Sequence, residues 1–162
     1  VYYGEEIGMS SSGKKDENKR LPMIWSDTDT TGMTNGPVDA DKDIVSVFAG
    51  VEQQQKDPYS ILNYYKRAVR LRNENPEIAR GEIEIVEELT EGNQAVITKT
   101  YEDSTIAIAY NTSDEVIAIS LEETMLADME LYGYLTLNGE VVELNTGVLS
   151  MPAQSICVLR TE

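Results

Sequence analysis

The stretch Ala95-Val96-Ile97-Thr98-Lys99-Thr100-Tyr101-Glu102-Asp103-Ser104-Thr105-Ile106-Ala107-Ile108-Ala109-Tyr110 decides the fold. β-Branched and aromatic residues dominate both sides of a polar break at Glu102-Asp103-Ser104. Such residues suit a pleated, half-buried surface, and the break carries turn chemistry, so the spacing predicts strands over 95–101 and 105–110. Working outward, the same reading predicts strands over 83–89, 115–121, 130–137, 140–144 and 154–160. Turn signals at Glu91-Gly92-Asn93, Asn111-Thr112-Ser113-Asp114 and Asn138-Gly139 separate them. Asn138-Gly139 between Leu137 and Val141 predicts a two-residue hairpin. Short strands at this spacing predict an antiparallel β-sandwich. Glu and Thr at many alternate positions predict that one sheet face is wet and acidic.

Before Gly81 the pattern is different. A helix is expected over 58–73, with Asp57 as N-cap and Pro58 at the first helical position. Ile61, Leu62, Tyr65, Ala68, Val69 and Leu71 fall near one face, and Asn63, Lys66, Arg67 and Arg70 near the other. Asn75-Pro76 ends it. A shorter helix is expected over 44–54, capped by Asp43. The charge divides at the same place. Residues 1–80 hold 11 Lys and Arg against 13 Asp and Glu, and residues 81–162 hold 2 against 16, which accounts for the net −16. The expected domains are therefore 1–80 and 81–162.

With 162 residues, 41% hydrophobic and 26% charged, the chain can bury a real core. The acidic balance excludes nucleic acid and anionic membranes as partners. No apolar run approaches the roughly 20 residues of a membrane helix. No signal-peptide pattern is present. The chain has no His, which removes Ser-His-Asp catalysis and His-ligated metals. The single Cys157 removes internal disulfides and cysteine metal clusters. Val1-Tyr2-Tyr3-Gly4 reads as a strand end without an initiator Met, so the chain is expected to be a piece of a longer protein.

Four constellations could carry chemistry. Glu5-Glu6 pairs two carboxylates, but neighbours in a strand point to opposite faces, so the expectation is one inward and one outward acid rather than a catalytic pair. Asp39, Asp41 and Asp43 alternate like the start of a calcium loop, yet Ile44 and Gly50 stand where that loop needs Gly and Glu. Asp16 and Arg20 lie four apart, as a structural ion pair or as a clamp for sugar hydroxyls. Tyr2, Tyr3 and Trp25 are core residues or stacking platforms. Asn111-Thr112-Ser113 is a glycosylation sequon.

Val1-Tyr2-Tyr3-Gly4-Glu5-Glu6-Ile7-Gly8-Met9 resembles the eighth barrel strand of alpha-amylase-type enzymes, glycoside hydrolase family 13. Asp16, Arg20, Pro22-Met23 and Trp25 follow in the family's order. Val51-Glu52-Gln53-Gln54-Gln55-Lys56-Asp57-Pro58-Tyr59-Ser60-Ile61-Leu62 resembles its stretch leading into the last barrel helix, and Met151-Pro152-Ala153-Gln154-Ser155 its final strand.

The resemblance implies that 1–80 is the last strand, loop and helix of a (β/α)8 barrel. It implies that 81–162 is a Greek-key-like, all-β C-terminal domain. The barrel's active site would lie at the C-terminal ends of its strands. The family's catalytic carboxylates sit after earlier strands, so this piece alone is expected to be inactive, with no catalytic or metal-binding residue and no cofactor of its own; calcium would belong elsewhere in the parent. Asp16 and Arg20 would contact glucose units of an α-1,4-glucan on the non-reducing side of the cleavage point. The implied partners are that glucan and the rest of the barrel, and a polymeric substrate favours a secreted or cell-surface parent. The alternatives are an α-glucan-binding sandwich module, or an α-glucosidase or transglycosylase parent.

Overall fold

The computed structural model describes residues 2–10, 15–41 and 48–161. The chain forms two compact units, Val1–Lys66 and Arg67–Glu162. In the second unit the strands are β1 (Glu82–Ile85), β2 (Gln94–Tyr101), β3 (Ser104–Asn111), β4 (Ile117–Ser120), β5 (Glu130–Leu135), β6 (Glu143–Asn145), β7 (Val148–Met151) and β8 (Ser155–Arg160). They make a five-stranded sheet in the order β1-β2-β3-β8-β5 and a three-stranded sheet in the order β4-β7-β6. Every pairing between these strands is antiparallel. Val96, Ala107, Ala109, Cys157 and Leu159 of the larger sheet share one buried cluster with Ile119, Leu149 and Met151 of the smaller. The core of the expected sandwich therefore lies between the sheets. Burial pushes the Cys157 thiol up to about 12, so it stays neutral and acts as a small apolar residue.

Among the described residues three α-helices precede the sheets: α1 (Val51–Lys56), α2 (Ile61–Glu74) and α3 (Pro76–Arg80). α2 starts three residues later than the sequence suggests. Asp57 is used in a turn, where its Oδ1 accepts the Tyr59 N–H at 2.9 Å. Ser60 caps the helix instead, its Oγ accepting the Asn63 N–H at 3.2 Å. At the other end Asn75 donates to the Leu71 carbonyl at 2.8 Å, and Pro76 opens α3. Of the helix expected over 44–54, residues 44–47 lie outside the described residues, and 51–54 fall in α1.

The sandwich departs from the sequence reading in three places. First, the tight hairpin is not at Asn138-Gly139. It is at Thr146-Gly147, which joins β6 to β7 with φ of 45° and 73°. Positive φ at both central residues gives the twist that paired strands need. Around Asn138-Gly139 the chain instead leaves one sheet for the other, and the Thr136 Oγ1 donates to the Glu140 carbonyl at 2.8 Å across the corner. Second, β7 was not among the expected strands. Third, the outer face of the large sheet is not wet at its centre. Ile106, Ile108 and Val158 are buried there under Leu71 of α2 and Ile78 of α3. A methyl group on Gly133 would stand 2.8 Å from the Leu71 Cδ1, so a side chain there would have to push the end of Leu71 aside. The acids are exposed where the cover ends, as on β1, where Glu82 and Glu84 alternate with exposed Ile83 and Ile85.

The sequon is not available once the chain is folded. Asn111 is 1% exposed. Its amide donates to the carbonyls of Glu115 at 2.8 Å, Met151 at 3.2 Å and Pro152 at 2.8 Å.

Candidate functional site

The first unit contains an open cleft of about 440 Å³ lined by Tyr2, Tyr3, Met9, Asp16, Arg20 and Leu21, with Glu5 and Asn18 also on its wall. Its geometry begins at the N-terminal motif. Tyr3-Gly4 forms a turn and Glu5–Ile7 one 3₁₀ turn, so the acids do not sit on a strand. Both carboxylates fold back on the backbone before them. Glu5 accepts the Tyr2 N–H at 3.0 Å, and Glu6 accepts the Gly4 N–H at 2.8 Å. The expectation of one inward and one outward acid is corrected, because the backbone donors at the start of this turn have no partner within it and the two side chains supply one.

The Tyr2 and Tyr3 rings lie 4.8 Å apart and tilted by 37°. Tyr2 is 55% exposed and Tyr3 44% exposed in this chain. The Tyr3 hydroxyl donates to the Leu21 carbonyl at 2.9 Å, which ties the ring to the far wall. Burial, and then the neighbouring Tyr2, raises its pKa above the ordinary tyrosine value. Trp25 is 56% exposed but does not line the cleft.

Asp16 and Arg20 flank the 3₁₀ turn Glu17–Lys19. Their closest oxygen and nitrogen are 3.4 Å apart, and the side chains are 77% and 53% exposed. An ion pair this open contributes about 1 kcal/mol at most, which is too little to explain it as a structural brace. It leaves an acceptor and a forked donor exposed to solvent beside two aromatic rings. That combination can receive a ring-shaped polyol, with apolar faces for stacking and hydroxyls for paired hydrogen bonds.

The structure also shows what the sequence did not. Asn18 is 1% exposed. Its Nδ2 donates to the Asp41 Oδ2 at 2.9 Å, and its Oδ1 accepts the Asp41 N–H at 2.9 Å. Lys15 Nζ donates to the Asp41 Oδ1 at 2.7 Å. Lys15, and next Asn18, hold the Asp41 carboxyl below its ordinary pKa. Of the alternating acids, Asp41 is thus engaged with Lys15 and Asn18, and Asp43 lies outside the described residues. Among the described residues no group of three or more Cys, Asp or Glu is placed to hold a metal ion. These contacts join residues more than 20 positions apart, and no local spacing signals them.

Comparisons with known proteins agree with the geometry. The family model described as the alpha amylase catalytic domain matches residues 1–81. Alpha-amylase SusG of Bacteroides thetaiotaomicron is 39% identical over 82 residues, which is 50% of this chain and 11% of that protein. A probable alpha-glucosidase of Rhizobium meliloti is 28% identical over 134 residues, 83% of this chain and 24% of its own length. The solved structure of Eubacterium rectale Amy13B superposes with a TM-score of 0.90 and 31% identity, over 99% of this chain and 31% of that one. The chain thus spans a quarter or less of these two curated relatives. A catalytic-domain match over the half that carries the cleft, continued by a superposition that takes in the sandwich, makes this chain a member of the alpha-amylase family.

Proposed function

We propose that the intact protein hydrolyses α-1,4-glucosidic bonds in starch-like glucans, and that this chain supplies one wall of its sugar cleft and the C-terminal sandwich. The observation that carries the reading is the exposed Asp16–Arg20 pair beside Tyr2 and Tyr3 in one open cleft, inside the span matched by the catalytic-domain model. Asp16 accepts from glucose hydroxyls and Arg20 donates to them, on the non-reducing side of the bond that breaks. Retaining hydrolysis needs two carboxyl groups about 5–5.5 Å apart, one as nucleophile and one as acid and base. Glu5 and Glu6 do not act as that pair, because each is hydrogen-bonded to the turn it stabilises. The reacting carboxylates belong to the rest of the barrel, against which this chain is to pack.

In the intact enzyme, Asp16→Ala is expected to raise KM for maltoheptaose about tenfold, the effect of one lost charge-assisted hydrogen bond. An unchanged kcat/KM on long maltooligosaccharides would remove Asp16 from the substrate. The purified chain alone, mixed with maltoheptaose and followed by NMR, is expected to give no new anomeric signals. Cleavage there would show that the reacting carboxylates lie within these 162 residues.

The name of the Rhizobium meliloti relative favours a second reading, an exo-acting α-glucosidase parent. Release of glucose alone from maltoheptaose, rather than a ladder of shorter oligosaccharides, would distinguish it. The sandwich is the poorer place for glucan. The Arg160 guanidinium lies 4.8 Å over the Tyr132 ring and that of Arg80 5.6 Å from the Tyr101 ring, so each arginine occupies a face a sugar would use. Tyr110 packs against the outer cluster.

A further inference from the structure

We infer that Asn18 is a positioning residue for the Asp16–Arg20 pair, acting through its reciprocal bonds to Asp41. The inference rests on the reading of the cleft given above and adds a residue to it. Asn18 occupies the middle of the turn whose two ends carry Asp16 and Arg20. That turn is a single 3₁₀ turn of three residues, too short to hold its own shape in water. The Asp16–Arg20 contact is too exposed to fix it. Asn18 is the buried residue of the turn, and it is clamped from both ends of its amide to one residue in a distant part of the chain.

The chemistry of the clamp requires Asn in one orientation. The Nδ2 must face the Asp41 carboxylate, which only accepts, and the Oδ1 must face the Asp41 N–H, which only donates. A flipped amide would lose both bonds. The clamp reaches further through Lys15, which bonds the other Asp41 oxygen and the Asp39 carbonyl. The stretch from 15 to 20 is therefore tied to 39–41 through Lys15 and Asn18, while Asp16 and Arg20 stay exposed. A small displacement of groups that hold substrate costs rate or affinity far more than it costs stability.

The isosteric change Asn18→Asp separates positioning from folding. At neutral pH it sets a carboxylate against the Asp41 carboxylate and repels the turn. On acidification the pair takes up one proton. The new carboxylic acid then donates from its O–H to Asp41 and accepts the Asp41 N–H through its carbonyl oxygen, which restores the wild-type pattern. The charged groups facing this pair are Lys15, whose ammonium bonds Asp41, together with Asp39 and Glu17 near that ammonium.

The test is steady-state kinetics of the intact enzyme on maltoheptaose from neutral pH down to about pH 5, a range that a coupled carboxyl pair can enter. Each variant is read as a ratio to wild type at the same pH. For Asn18→Asp the expected result is a KM about tenfold higher at neutral pH with kcat changed less than twofold, and a deficit that shrinks as the pH falls. Asp16→Ala is expected to raise KM with no such recovery. Should Asn18→Asp fail to fold, Asp41→Ala at an exposed side chain provides the second variant, with KM expected to rise about threefold. An unchanged KM in Asn18→Asp or Asp41→Ala, with Asp16→Ala impaired, overturns the positioning role and leaves the reading of the cleft in place. A deficit that does not move with pH in Asn18→Asp also overturns it, since general damage to the loop has no reason to titrate. An Asp16→Ala enzyme that works normally overturns the reading of the cleft itself.

Discussion

Asn111→Ala is expected to cost the sandwich about 2–4 kcal/mol. The reason is the number of groups that one amide serves. Asn111 ends β3 and donates to three carbonyls, Glu115, Met151 and Pro152. Its own oxygen accepts the Ser113 N–H at 3.0 Å and the Ser113 hydroxyl at 2.7 Å. It therefore fixes the turn after β3 and the passage from β7 to β8 in one contact set. Truncation would remove a donor from all three carbonyls. The Ser113 and Ser155 hydroxyls can still serve those of Glu115 and Pro152, so the loss falls on the Met151 carbonyl and on the Ser113 turn, about 1–3 kcal/mol for each buried group left short of a bond. Asn111→Asp keeps the shape but replaces the donor with acceptors, so it is expected to be at least as harmful at neutral pH. Urea unfolding followed by circular dichroism measures both. A loss under about 1 kcal/mol for either would mean that the carbonyls find other donors, and that the amide is not the joint described here.

Gln54→Leu is expected to cost the first unit about 2–4 kcal/mol. Gln54 is 4% exposed although it lies on a short polar helix. Its Nε2 donates to the carbonyls of Ile7 at 2.8 Å and Ala49 at 2.6 Å. Its Oε1 accepts the Leu62 N–H at 3.0 Å. That last group is one of the backbone donors at the start of α2 that the helix cannot satisfy. One side chain thus holds the turn carrying Glu5 and Glu6, the entry to α1 and the start of α2. Hydrogen exchange reads the contact directly, because the Leu62 amide should lose protection in the variant. Retained protection at Leu62 together with wild-type stability would show that Gln54 is a bystander. In the intact enzyme the same change should also lower activity, since Ile7 follows directly on the motif beside the cleft.

The sandwich was legible because alternation is a local property. Residues 94–111 declare two strands and their turn without help from the rest of the chain, and β2 and β3 pair over eight positions as that reading requires. Choosing between two glycine-containing turns is not local. Asn138-Gly139 has the better hairpin signal, but β5 finds β8 and β6 finds β7, so the tight turn falls at Thr146-Gly147. β7 was missed for the same reason, since only the pairing with β4 and β6 makes Val148–Met151 a strand. In the cleft, the spacing of Asp16 and Arg20, which is that of one helical turn, announces their ion pair, whereas their assignment to a sugar rests on the family resemblance. The strand expected at the N-terminal motif gave way to a turn, because Glu5 and Glu6 capture the backbone N–H groups just before them. Asn18 carries no sequence signal, and the signals at Asp41, an alternating acid run, and at Gln54, a family-like stretch, say nothing of the partners these residues find. Their contacts depend on where distant loops return, and a polar residue reads as surface until a partner is seen.

The helical cover on the large sheet limits how this protein could be cut or recombined. Composition and pattern both change at Gly81, which invites excision there. A sandwich released at that point would lose Leu71 and Ile78 and expose Ile106, Ile108 and Val158 together on a flat sheet face. Three neighbouring branched residues on a bare sheet form the kind of surface that drives aggregation. A cut that keeps the sheet face covered has to fall before Leu71, so that the part of α2 carrying Leu71 and the whole of α3 stay with the sandwich.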